Sequence, residues 1–285
     1  LVGGYQNQVR RWTWGISGGQ VSQPASSIAS GFGILDGEPA VVESEVRTWE
    51  ISREVTGMLW VPSSRARRIE LAAGYQNLSF RAESRTEVFS ALTGDRLVEE
   101  RSSLPSPRAL HLATAHAALV HDTSLFSGTS PGAGERYRLQ IGAVTGDVSY
   151  ATVLADYRRY VPLGGPFSLA GRVMHVGRYG PGAEDPRLQE MFVGYPHLLR
   201  GYSGDPLESG HCGLDSEGRC RSYERLFGSR LMLGNLELRT AISGYQGLTR
   251  LSLPVQVALF VDAGLPWSSR RLDTELGRDR RLLSS

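Results

Sequence analysis

The sequence predicts an all-β chain, a transmembrane antiparallel β-barrel with about ten strands within the 285 residues. Three observations point there. Apolar and polar residues alternate with period two over runs of about 15 residues, against a usual strand length of about 5–6. Short turns fall on one side and long polar loops on the other, as in outer-membrane barrels. No apolar run approaches the ~18 residues of a membrane-crossing helix. A soluble sandwich gives the same period with its apolar face inward. Strand length and the charged faces favour a barrel with a polar interior.

Residues 1–8 and 11–20 read as two strands joined near Gln8-Val9, and residues 21–41, rich in Ser, Pro and Gly, as a loop. From Glu45 to Val61, Thr48, Glu50, Ser52, Glu54 and Thr56 share one face. Trp49, Ile51, Val55, Leu59 and Val61 share the other, with Arg53 an exception among them. After Pro62-Ser63-Ser64, residues 66–82 place Arg68, Glu70 and Gln76 opposite Ile69, Leu71, Ala73 and Tyr75. Strands follow at 107–122, 134–145 and 147–162, the last two joined tightly at Gly146. In 147–162, Asp156, Arg158 and Tyr160 oppose Val153, Ala155, Tyr157 and Val161. Beyond Pro162-Leu163-Gly164-Gly165, strand 166–180 sets Arg172 against Phe167, Leu169 and Val173. Strands 228–243 and 251–266 complete the series. In the last, Gln256, Phe260 and Asp262 oppose an aliphatic set of Val255, Val257, Leu259 and Val261, as lipid contact requires. The long loops are expected at 21–43, 83–106, 123–133, 181–227 and 268–285.

The composition excludes several classes. All 31 basic residues are Arg, interspersed with 29 acidic ones for a net charge of +2, so no nucleic-acid partner is expected. Gly15-Ile16-Ser17-Gly18-Gly19 matches a nucleophile elbow in letters only, because no helix follows it. His111, His116 and His121, five apart, alternate between faces and share no metal. No catalytic residue, metal or cofactor is expected. Cys212 and Cys220 lie eight apart in a polar loop. They suit a small disulfide-closed loop in an oxidising compartment or, with His211 and His197, a metal pair. The disulfide is favoured because no second metal-type pair lies nearby. Trp12, Trp14, Trp49, Trp60, Tyr75, Tyr157 and Phe167 read as interfacial girdle aromatics. Leu1-Val2-Gly3-Gly4 reads as mid-strand with no signal peptide, so the chain is taken as part of a longer one.

One stretch stands out. Leu199-Arg200-Gly201-Tyr202 lies in the long segment 181–227. Arginine stays protonated in a protein, so one held inside a fold needs carboxylates, and Glu237 and Asp262 occupy the next two strands.

The runs Asp156-Tyr157-Arg158-Arg159-Tyr160, Pro166 to Arg172, Gly177-Arg178-Tyr179-Gly180 and Gly194 to Tyr202 resemble the C-terminal barrel of the BamA/TamA superfamily. This is the bacterial surface-antigen domain. The similarity is greatest to the branch in which the barrel follows a TolB-like β-propeller. It continues through Gly228-Ser229-Arg230, Glu237-Leu238-Arg239 and Phe260 to Gly264. The resemblance implies sixteen strands in the whole protein, with about three missing at each end, and residues 1–285 as one partial barrel domain. It implies that extracellular loop 181–227 folds into the lumen and that the tip Leu199, Arg200, Gly201 and Tyr202 meets Glu237, Phe260 and Asp262 on the wall. Cys212 and Cys220 would then sit in the outer part of that loop. It further implies an integral, non-enzymatic protein of the bacterial outer membrane, in contact with lipid and lipopolysaccharide and with periplasmic or outer-membrane proteins. Such a barrel acts in outer-membrane protein assembly or translocation, or anchors a periplasmic module. The alternative is a passive channel or structural subunit with the loop as plug.

Overall fold

A computed structural model describes residues 1–9, 11–35, 37–127, 130–202, 224–241 and 255–269. Ten strands form one continuous antiparallel path. They are β1 (Val2–Asn7), β2 (Thr13–Leu35), β3 (Glu38–Pro62), β4 (Arg67–Ser90), β6 (Leu110–Asp122), β8 (Ser130–Gly146), β9 (Tyr150–Gly164), β10 (Phe167–Tyr179), β13 (Arg230–Ala241) and β14 (Gln256–Trp267). Off the path, β5 (Arg96–Leu104) pairs with β4 and β7 (Leu125–Ser127) with β8, while β11 (Met191–Phe192) and β12 (Phe227–Gly228) pair at the base of the long loop. No helix among the described residues is long and apolar enough to cross a membrane.

The apolar face is the outer one. Leu236, Val173, Ile141, Val261 and Leu259 are 50–74% exposed, the reverse of a water-soluble sandwich. Open to water, each such side chain would forgo about 25 cal/mol per Å² of burial, so the face is built for apolar surroundings. The polar face is concave, and its side chains reach past neighbouring strands. Arg138 Nη1 of β8 donates to Glu70 Oε2 of β4 at 2.6 Å, across β6. Ser130 Oγ of β8 donates to Gln256 Oε1 of β14 at 2.5 Å, with β9, β10 and β13 between. This is the sheet of a transmembrane β-barrel with a polar lumen.

Three expected loops are corrected. Residues 21–43 and 83–106 are not loops: β2, β3 and β4 run for 23, 25 and 24 residues, and β5 pairs with β4 from Ala82↔Leu104 to Phe89↔Arg96. The physical reason is alternation carried by charge instead of apolarity. Glu43, Glu45 and Arg47 on β3, and Arg81, Glu83, Arg85 and Glu87 on β4, occupy every second position. They pair across the outer face, Arg85 with Glu99 at 3.2 Å and Arg96 with Glu87 at 3.0 Å. The Ser/Gly/Ala-rich stretch of β2 is held by the backbone ladder Val21↔Ser52 through Leu35↔Glu38. At about 3.3 Å per residue, a 25-residue strand is about 80 Å long, so β2–β5 form a blade standing far beyond the apolar band.

Residues 123–133 lie at the end of the sheet opposite to loop 181–227, and part of them is paired as β7 and β8. Gly134 has φ +96°, and a Cβ there would lie 2.2 Å from Thr123 O. That turn swings the hairpin onto the concave face. Trp60 is also reassigned: it pairs with Glu70 and shares the inner face rather than the girdle.

The lumenal arginine cluster and its family

The side chains of β13 and β14 alternate so that Asn235, Glu237 and Arg239 point inward beside Phe260 and Asp262. Register sets Asn235 opposite Asp262, and Glu237 opposite Phe260. Into this wall comes the loop from Tyr179. Its path is fixed by apolar contacts: Leu188 joins a buried cluster with Leu78, Leu110, Leu112 and Val148, and Leu198 joins Leu231 and Leu233. A turn in which Leu198 N and Leu199 N both donate to Tyr195 O, at 2.8 and 2.9 Å, presents the next residue, Arg200. Gly264 leaves room for Val193 and Leu199 of the loop, since a Cβ there would stand 2.8 Å from Val193 Cγ2 and 3.5 Å from Leu199 Cδ2.

Arg200 meets three side chains. Nε and Nη2 donate to Asp262 Oδ2 and Oδ1 at 2.7 and 2.6 Å, a bidentate pair, and Nη1 lies 2.6 Å from Glu237 Oε1. The guanidinium carbon stands 3.7 Å from the centroid of the Phe260 ring, a cation–π contact. The backbone N of Arg200 also donates to Asp262 Oδ2 at 3.1 Å. The hydrogen bond to Asp262 raises the Arg200 pKa further, so the charge is permanent. Asp262 is nearly buried, its side chain 4% exposed. Leu199 is buried, whereas Tyr202 is exposed and Gly201 takes φ +92°, turning the chain away after the arginine.

Two participants were missed from the sequence. Asn235 Nδ2 donates to Asp262 Oδ1 at 2.8 Å and to Leu198 O at 3.0 Å, tying wall to loop. Arg239 Nε donates to Glu237 Oε2 at 2.6 Å, and its Nη1 reaches Pro131 O and Ser130 Oγ, each at 3.3 Å. Both lie two residues from Glu237, so period two was the available signal. The cluster borders a cavity of about 310 Å³ also lined by Arg158, Arg172, Tyr160 and His197. There, Asp156 is clamped between Arg158 and Arg172, with Nη2 distances of 2.7 and 2.9 Å. Charges alternate through this interior, and no group of His, Cys, Asp and Glu that could hold a metal occurs among the described residues. Cys212 and Cys220 lie outside the described residues.

An Omp85 superfamily domain matches residues 122–282, more than half of the chain. The chain belongs to the Omp85 superfamily, a family of outer-membrane β-barrels. Among solved structures it is similar to the crystal structure of BamA from Haemophilus ducreyi lacking POTRA domains 1–3, with a TM-score of 0.56 at 15% identity. The alignment covers 93% of this chain and 53% of that one, so the chain spans about half the length of the structure it resembles. No curated protein matches the sequence.

Proposed function

We propose that the chain is the membrane-embedded barrel of an outer-membrane protein assembly or translocation component, with residues 1–285 as one barrel domain. In this reading Leu199, Arg200, Gly201 and Tyr202 form the tip of an inward-folded extracellular loop, and Glu237, Phe260 and Asp262 are its lumenal receptor. The carrying observation is the seating of Arg200 between two carboxylates and an aromatic ring, with Asn235 holding Asp262 in place. Burying such a pair contributes little net stability but fixes one loop register, because any other leaves charges without partners. A barrel that handles polypeptide needs a reproducible interior, and a seated loop supplies one. The protein acts without catalysis, and its apolar outer wall contacts outer-membrane lipid and lipopolysaccharide. Periplasmic or outer-membrane proteins would be its partners. The motifs around Asp156 and Gly194 support placing it in the branch that carries a TolB-like propeller, and Cys212–Cys220 would close the outer part of the loop.

The test is a charge swap read by heat-modifiable gel mobility and protease resistance in detergent. Arg200→Glu places a third carboxylate beside Glu237 and Asp262 and should loosen the fold. Combining it with Asp262→Arg should restore part of the resistance. If neither variant differs from the parent, the loop is not seated by this pair and the reading fails. Conductance after Arg200→Ala separates a plug from a scaffold: an opened pore would favour the passive channel.

A further inference from the structure

Arg53 breaks the apolar pattern of the outer face, and the lumenal cluster gives it no role. Register places it in the row Gln20–Arg53–Asn77–His111. Its Nε donates to Gln20 Oε1 at 2.8 Å, and its Nη1 to Ser79 Oγ at 3.1 Å and Asn77 Oδ1 at 3.4 Å. All three acceptors are neutral. Among the described residues no carboxylate pairs with this guanidinium, so its charge is oriented but not compensated.

The surroundings set its depth. Immediately toward the sheet centre lie Val55 and Tyr75, 46% and 45% exposed on the lipid-facing wall. In the other direction stands Trp49, with the Arg81 guanidinium 5.4 Å from its ring, and beyond it the paired charges of the blade begin. Arg53 therefore lies where hydrocarbon gives way to headgroups, at the end of the sheet that carries the long loop. A cation at that depth with a planar fork and neutral supports fits the phosphate of a lipid headgroup, which accepts charge-assisted bonds in bidentate geometry.

We propose that Arg53, braced by Gln20, Asn77 and Ser79, binds the phosphate of an anionic lipid headgroup in the leaflet on the loop side. The Gln20 amide nitrogen, unused among the described contacts, supplies a second donor beside the guanidinium. The site rests on the reading that the apolar outer face sits in lipid, and the test keeps the two apart.

The chain is purified in detergent, supplied with phosphatidylglycerol or phosphatidylcholine, and the retained lipid counted by native mass spectrometry. Phosphatidylglycerol should be retained preferentially by the parent, about tenfold less by Arg53→Gln, and at an intermediate level by Arg53→Lys, which keeps the charge but loses the fork. Arg101→Gln, which removes a paired blade arginine, should match the parent. Equal retention by the parent and Arg53→Gln would overturn the proposal. So would displacement of the lipid by millimolar inorganic phosphate, which would mark a free-anion site. Failure of the barrel reading would show separately, as parent and variants alike partitioning into the aqueous phase of a phase-separating detergent.

Discussion

Arginine at position 200 is demanded by geometry as much as by charge. One guanidinium spans Asp262 with a fork, reaches Glu237 with its remaining nitrogen and lies flat on Phe260. Lysine offers a compact ammonium that can satisfy one carboxylate at a time and cannot stack in this way. Arg200→Lys should therefore retain the seated loop but weaken it. We expect a fall in the urea midpoint intermediate between the parent and Arg200→Ala. The alanine variant leaves Asp262 with Asn235 as its remaining side-chain partner. Its cost should fall toward the low end of the ~3–5 kcal/mol typical of broken buried pairs, because the Arg200 side chain is itself 29% exposed. A lysine variant equal to the parent would show that charge alone suffices. The wall partners of Arg200 were legible in the sequence because inward residues recur at every second position, so Phe260 and Asp262 could be placed on one face. Asn235 and Arg239 obey the same rule. They went unread because an asparagine and one more arginine among 31 carry no distinguishing signal before the loop is in place.

At the scale of elements, the inward hairpin of β7 and β8 adds a second brace, from the end of the barrel opposite the loop. It connects to the same wall: Arg239 holds Glu237 on one side and the carbonyl of Pro131 on the other. A continuous chain of contacts thus runs Asp262–Arg200–Glu237–Arg239–Pro131. The hinge is Gly134, whose positive φ no other residue adopts cheaply and whose missing Cβ makes room for Thr123 O. Gly134→Ala should cost about 1–3 kcal/mol of local strain, relieved by the hairpin leaving the lumen. The check is a short bifunctional thiol reagent acting on Ser130→Cys with Gln256→Cys, with Cys212 and Cys220 replaced by serine. Crosslinking should be efficient when Gly134 is kept and lost when Gly134→Ala is added. Efficient crosslinking in both would mean that the hairpin is held by its own contacts and not by the glycine. Sequence reading places 123–133 among the outer loops, because a connection's composition says nothing about which end of a sheet it occupies. Only the strand count fixes that parity, and extending β2, β3 and β4 does not alter it.

On the scale of the whole molecule, the outer surface divides into two zones with different solvents. Around the barrel it is aliphatic from Ile16, Leu59 and Leu71 to Ile141, Leu236 and Leu259. Along the blade it is a lattice of ion pairs, Arg47 with Glu45, Arg81 with Glu83, and Arg85 and Arg101 with Glu99. Each exposed pair contributes less than about 1 kcal/mol in water, yet in hydrocarbon the same charges would be severely penalised. The lattice is thus a statement of location before it is one of stability. The boundary should be sharp along a single strand, since β3 passes through both zones on the same face. Single cysteines at Leu59, Val55, Arg47 and Glu43, in the cysteine-free background and in lipid vesicles, should report it to a membrane-impermeant maleimide. Leu59 and Val55 should stay unlabelled while Arg47 and Glu43 label fully, with the change falling across Arg53 and Trp49. Uniform labelling along β3 would mean that the apolar face meets a protein partner instead of lipid. Protection extending through Glu43 would mean that the blade is covered in the membrane.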